Sequence, residues 1–180
     1  MSGRNTLSYD QVESFLNCEI PQDLEDEILA TLANYNIEKD MTTDDLENYF
    51  EDLKLPKELY KLANKQNLIV SNTRVVDFEK ILKFTYHLLI FMDNESTIDE
   101  LWSVLIKYSG RDAQFPNVLL KNHILSTKDL QKISNSIGMD NSSGIIEMMN
   151  IATNGLKVYL NYLDFAYILG KLGYLRYQKS

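Results

Sequence analysis

The sequence predicts an all-α fold of four helix-loop-helix units arranged as two lobes, and three observations lead to this prediction. The 180 residues include only seven Gly and three Pro, which is too few for a loop-rich sandwich. Apolar residues recur at helical spacing along most of the chain. An internal repeat has copies 35 residues apart in each half of the chain.

The predicted helices follow a polar N-terminal arm. Residues 1–20 show no sustained period, so we expect a flexible arm that ends at Pro21. The first helix is expected from Asp23, with acidic residues in its first turn, and the second after Thr42, which is a suitable cap, with Pro56 stopping it. The remaining helices are expected to begin, in chain order, at Leu59, Asp77, Thr97, Ser126 or Thr127, about Gly144 and about Tyr162. A loop is expected over 110–117.

The repeat defines the lobes. Each copy is an apolar residue, four positions that include polar or acidic groups, and an apolar residue that opens an amphipathic helix. The leading residues are Met41, Val76, Leu125 and Leu160, which lie 35, 49 and 35 positions apart. Equal spacing within each half predicts two units per lobe, with the arm at 1–20, an N-terminal lobe at 21–95 and a C-terminal lobe at 96–180.

This layout resembles the EF-hand superfamily, calmodulin and centrin in particular. The resemblance implies that each leading apolar residue lies on a very short strand that pairs one loop with its neighbour. It also implies that the acid after that residue closes a calcium loop.

The loops themselves depart from the calcium pattern, which needs oxygen ligands at fixed positions and a glycine at the sixth. The first loop, 34–45, has Lys39 in place of the glycine and Asp45 in place of the closing Glu. The loops over 69–80, 118–129 and 153–164 depart further. We therefore expect no metal site and no cofactor, and a residual Ca²⁺ or Mg²⁺ sensor in the first loop is an alternative.

The C-terminal half shows a closer resemblance, to the fungal centrin-like accessory proteins of nucleotide excision repair. The stretches that carry it are 98–103, 110–112, 128–135, 142–144, 146–148, 162–165 and 169–175. The resemblance implies a non-catalytic adaptor that binds an amphipathic helix of a damage-recognition subunit of the xeroderma pigmentosum group C type and stabilises it. It also implies a nuclear protein, with the cytoplasm as a further location, that meets nucleic acid only through the complex and is a monomer within it.

A helix-binding lobe accepts the apolar face of its partner helix. Family positions carried onto the C-terminal lobe give a groove of ten residues: Leu101, Trp102, Leu105, Leu130, Ile133, Met148, Leu160, Phe165, Ile168 and Leu169. Such residues at helical spacing also suit an ordinary core, and Trp102 fits either an anchor or an interior position. The sequence leaves open which lobe binds the partner.

Charge and residue chemistry argue against a DNA-binding protein, an enzyme, a membrane protein and a secreted protein. Residues 1–95 hold 19 acidic and 9 basic side chains, and residues 96–180 hold 7 and 9, so direct duplex binding is disfavoured. No enzyme is expected, because Cys18 falls in the arm and His87 and His123 fall in different lobes. No apolar run is long enough to span a membrane, and the first ten residues lack a signal core. The main alternative is a light-chain or cytoskeletal centrin-like subunit.

Overall fold

The computed structural model describes residues 9–18, 20–136, 138 and 159–176, which are mainly helical, and this confirms the all-α prediction. The helices are α1 Tyr9–Asn17, α2 Gln22–Tyr35, α3 Leu46–Asp52, α4 Lys57–Tyr60, α5 Phe78–Asp93, α6 Glu95–Ser109, α7 Arg111–Gln114, α8 Thr127–Ser136 and α9 Tyr162–Lys171. Two 3₁₀ turns lie at Lys65–Leu68 and Leu120–Asn122. Within this described part, every helix is too short or too polar to cross a bilayer. The helix expected over 144–152 lies outside it.

The chain forms two compact units. The first unit holds the described residues up to Asp93 together with the C-terminal tail from Gly173, and the second runs from Asn94 to Leu172. Within the first unit, Leu175 of the tail is buried. The Gln11 amide, oriented to satisfy both of its partners, donates to the Gly173 carbonyl at 2.7 Å and accepts from Arg176 Nε at 3.1 Å. The tail therefore packs with α1.

Very short strands or single bridges join the loops, as the resemblance implied. In the second unit, β1 (Leu125–Ser126) pairs antiparallel with β2 (Tyr159–Leu160), with Leu125 opposite Leu160. In the first unit, isolated bridges join Thr42 to Val75 and Ile69 to Val76, and the Val76 N–H donates to the Met41 carbonyl at 2.8 Å.

The acids that follow these strands in the second unit cap helices. The Asn161 N–H donates to Asp164 Oδ2 at 3.0 Å, and the Asp164 N–H donates to Asn161 Oδ1 at 2.9 Å. Ser126 and Asp129 exchange the same pair of bonds, at 2.8 Å and 3.3 Å. Each pair is a capping box, which satisfies two backbone N–H groups at a helix start.

In the first unit the corresponding acids each accept one backbone N–H near a helix start. The Asp45 carboxylate accepts the Thr42 N–H at 2.9 Å, just before α3. The Asp77 carboxylate accepts the Lys80 N–H at 3.1 Å, at the start of α5. The repeat is therefore a short strand or bridge followed by a helix. The position expected to close each calcium loop is instead an acid bonded to a backbone N–H just before a helix, or in one copy Lys80.

Three boundaries differ from those expected. The helix expected from Leu59 instead begins at Lys57 and ends at Tyr60, and a 3₁₀ turn follows in which the Asn64 side chain accepts the Gln66 N–H at 3.1 Å. α6 begins at Glu95, two residues before the predicted cap at Thr97. The loop expected over 110–117 contains α7, because the left-handed Gly110 (φ 76°) ends α6 and lets the chain turn into a new helical turn.

That turn brings a base to the capping acid of α8. Arg111 Nε donates to Asp129 Oδ2 at 2.9 Å, and the two side chains are 20% and 9% exposed. Burial alone would raise the pKa of Asp129. The hydrogen bonds from Ser126 and the Arg111 guanidinium outweigh burial and lower the pKa.

Residues 9–17 form a helix where the sequence predicts an irregular arm. The buried Phe15 ring stacks on His87 with centroids 4.4 Å apart and lies 6.2 Å from the Phe91 ring. Isolated helices of this length are marginal in water, so α1 depends on this contact with α5. The contact joins residues far apart in sequence, which periodicity cannot detect.

Phe15→Ala is expected to detach α1 while the rest of the first unit stays folded. Losing a buried Phe costs about 3–5 kcal/mol, more than a nine-residue helix supplies by itself. Hydrogen exchange of the amides in 9–17 should accelerate at least about tenfold. The control is Leu16→Ala, which removes a side chain that is 53% exposed on the same helix. Unchanged protection in the Phe15 variant would contradict the role of this contact.

Asp129→Asn is expected to destabilise the second unit at pH 7 by about 2 kcal/mol, since charged hydrogen bonds are lost. Because folding lowers the pKa of Asp129, its ionised form stabilises the fold fully at neutral pH, and this contribution is lost as the pH falls through the lowered pKa. The difference from the native protein should therefore shrink below about pH 4.

Urea unfolding at pH 7 and in acid, followed by fluorescence of the single Trp, Trp102, measures this difference. Asp112→Asn is the control, because Asp112 lies exposed on α7. A difference that is the same at both pH values would show that ionised Asp129 does not stabilise the fold.

Candidate partner-binding surface

The inner side of α6 fixes this helix in the core of the second unit. Ile98 and Trp102 are 0% exposed and Ile106 is 2% exposed. Trp102 Nε1 donates to the Leu120 carbonyl at 2.9 Å, so the indole fills the interior with its one donor satisfied. Its ring lies 5.3 Å from the Phe165 ring of α9.

A partly buried ionic cluster holds the first turns of α6. Lys121 Nζ lies 2.6 Å from Glu95 Oε1 and 3.3 Å from Asp99 Oδ2. The Tyr162 hydroxyl of α9 donates to Asp99 Oδ1 at 2.6 Å. Burial opposes the charge on Lys121, but the bonds to Glu95 and Asp99 raise its pKa, so the ammonium stays charged. The cluster links α6, α9 and the 3₁₀ turn 120–122.

The outer side of α6 presents apolar side chains to solvent. Leu101, Val104 and Tyr108 are 38%, 44% and 52% exposed, and Leu105 is half-buried between them. Their spacing of i, i+3, i+4 and i+7 places them along one side of the helix. We call these four residues the α6 stripe.

The predicted groove residues divide by burial. Leu101 and Leu105 lie in the α6 stripe, and Ile168 is half-buried on α9. Six are buried, at 9% exposure or less: Trp102, Leu130, Ile133, Leu160, Phe165 and Leu169. Met148 lies outside the described residues.

Val104 and Tyr108 are surface residues that sequence reasoning missed. The signal was present, because 98, 102 and 106 recur on one side of α6 and 101, 104 and 108 on the other. When a helix is apolar on two sides, the core of its own unit covers one side and the other stays exposed.

Cys18 and His87 lie closer together than the sequence predicts. Cys18 Sγ is 3.3 Å from His87 Nε2, and the same nitrogen is 3.0 Å from the Phe15 carbonyl oxygen. Because a carbonyl only accepts, Nε2 carries the proton and cannot take one from the thiol. Burial raises the pKa of the Cys18 thiol despite the nearby charge of Lys83. The pair therefore lies at the C-terminal end of α1 and does not form an activated nucleophile.

The first predicted loop has no free set of metal ligands. The Asn36 amide donates to the Leu32 carbonyl at 2.9 Å and accepts the Met41 N–H at 3.0 Å, and the Asp45 carboxylate accepts the Thr42 N–H at 2.9 Å. Across the described ranges, no three His, Cys, Asp or Glu side chains are grouped so as to hold a metal ion.

Comparison with known proteins gives two matches. Residues 58–142 match the family model described as Rad33. The chain is 48% identical over 176 residues to the DNA repair protein RAD33 of Saccharomyces cerevisiae, covering 98% of this chain and 99% of that protein. No solved structure matches.

These matches correct the superfamily assignment and support a role in DNA repair. The expected membership of the EF-hand superfamily was wrong, because the family model that matches is Rad33. The correction covers the calmodulin and centrin branches and the centrin-like repair proteins. The misleading signal was the repeat. Helices that follow short strands account for the repeat without any calcium loop. The near full-length identity shows that the chain belongs to the Rad33 family.

Proposed function

We propose that this protein is a non-catalytic, calcium-independent adaptor that binds an amphipathic helix of a DNA damage-recognition protein. By stabilising that partner it supports nucleotide excision repair. The α6 stripe is the observation that supports the proposal. The same proposal places the protein in the nucleus, as one copy within a hetero-complex that contacts nucleic acid through its partner.

The α6 stripe suits a helical partner in both shape and rigidity. A partner helix presents anchors at i, i+3 or i+4, and i+7, which matches the spacing of Leu101, Val104, Leu105 and Tyr108. The buried Trp102 and the Lys121 cluster hold α6 in place, so little ordering accompanies binding. Bulky apolar anchors such as Trp and Leu fit this surface.

Charge supports an indirect relation to DNA. The chain carries a net charge of −8, which repels the phosphate backbone. Family membership favours repair over the light-chain and cytoskeletal alternative.

The double variant Val104→Asp/Tyr108→Ser is expected to lose the repair partner while keeping its fold. Both side chains are largely exposed, so the changes place no charge in the core. Affinity purification from nuclear extract in chelator, followed by mass spectrometry, should recover the damage-recognition protein at least about tenfold less, which is 1.4 kcal/mol of binding.

Tyr9→Ser is the control for this experiment, since Tyr9 is 89% exposed in the first unit. Circular dichroism of both variants should match the native protein. Undiminished recovery of the partner by the double variant would overturn the proposed surface.

Cys18→Ser is expected to leave repair intact. The thiol is held protonated beside a histidine that has no free lone pair at Nε2, so no step of catalysis is assigned to it. Survival of ultraviolet-irradiated cells that carry the variant should equal that of cells with the native protein. Lost survival with normal protein levels would argue for a catalytic thiol.

A further inference from the structure

The first unit carries an apolar pocket of about 360 Å³ between α2 and the start of α5. Its floor is made by Leu32, Met41 and Ile81, which are 2% exposed or less. Leu29 is half-buried at the rim. Phe78, the first residue of α5, is 53% exposed beside the opening. The volume is near the lower end for ligand pockets, enough for one large side chain.

The lining offers few hydrogen bonds to a polar ligand. Asn36 is its one polar residue, and its amide is already bonded to the Leu32 carbonyl and the Met41 N–H. A polar metabolite would leave its own groups unpaired in such a pocket, which is costly. The pocket therefore selects an apolar group.

Acidic side chains lie along α2 and the loop that follows it. α2 has four acids and no Lys or Arg, and Glu25 and Asp26 lie one turn before Leu29 on the same side of the helix. Glu38 and Asp40 lie in the loop that leads to the pocket floor. Among the described residues, none of these acids forms an ion pair with a base.

The start of α5 adds to this charge. Asp77 and Glu79 flank Phe78 in the sequence. Lys80 donates to the Ile69 carbonyl at 3.0 Å and lies 3.9 Å from Asp77, so its charge is already engaged. The other bases close in sequence are Lys39, in the loop after α2, and Lys83, one turn beyond Glu79 on α5. Acids still outnumber bases along these segments.

We propose that this pocket binds a basic amphipathic helix of a partner protein. One large apolar side chain of that helix lies in the pocket against Phe78, and its Lys and Arg side chains face Glu25, Asp26 and Glu79. This binding site lies in the first unit and goes beyond the proposed function, which uses the α6 stripe of the second.

Charge decides between the possible occupants. A second copy of this chain carries a net charge of −8 and would be repelled by the acidic rim. Anionic membranes and nucleic acids are disfavoured for the same reason. A basic helix with one bulky apolar anchor satisfies both the apolar lining and the charge.

The test uses the full chain and a designed peptide: a fluorescein-labelled 18-residue helix with Lys on its polar side and one central Trp. Fluorescence anisotropy should show saturable binding that weakens as salt is raised. A peptide with Glu in place of every Lys should not bind. Equal binding of the two peptides, or no binding of either, would overturn the proposal.

Variants locate the binding. Phe78→Ser should weaken it at least about tenfold, or 1.4 kcal/mol, and Glu25→Gln/Asp26→Asn should weaken it less and flatten its salt dependence. Tyr9→Ser is the control, because Tyr9 is 89% exposed in the first unit and belongs to neither proposed surface.

If Tyr9→Ser weakens peptide binding as much as Phe78→Ser does, or if Phe78→Ser has no effect while its circular dichroism is native, the pocket is not the site. Neither result bears on recovery of the repair partner through the α6 stripe, so the two proposals fail separately.

Discussion

Burial of the inner side of α6 is the constraint on which the second unit depends. Ile98, Trp102 and Ile106 take this side out of water, and the Trp102 bond to Leu120 leaves one orientation for the indole. The helix cannot then rotate to hide its other side. The exposure of Leu101, Val104 and Tyr108 is thus a direct result of how firmly the opposite side is packed.

Acidic side chains have two distinct roles in this chain. Asp45, Asp129 and Asp164 are bonded to backbone N–H groups before or at helix starts, so their charge serves the fold. The acids of α2 are bonded to no base among the described residues, and they shape the field at the surface. The net charge computed from composition does not distinguish acids that stabilise the fold from acids that lie on the surface.

Local features were predictable from the sequence. Helical periodicity, the capping residues and the spacing of the repeat predicted the all-α class and the starts of α5 and α8, because each depends on a few neighbouring residues. The very short strands were implied by the resemblance alone. Contacts between distant segments were not predictable. The packing of Phe15 on His87, and the approach of Cys18 to the same ring, require knowing that α1 lies against α5.

The candidate site was predicted only in part, because it also depends on contacts between distant segments. Leu101 and Leu105 were named from a resemblance, and the structure places them on the accessible side of α6. Most of the other named residues are interior, since core and interface use the same residue types. The burial of Ile98, Trp102 and Ile106 distinguishes the two sides of the helix.

The first unit is discontinuous along the chain, which leaves it at Asp93 and rejoins it at Gly173. In topological terms the second unit is an insertion into the first. A fragment ended at residue 93 would lack the buried Leu175 and the bonds that Gly173 and Arg176 make to Gln11. Truncation at the carboxyl end therefore weakens the helix nearest the amino end, and a fragment of the first unit needs both of its chain segments.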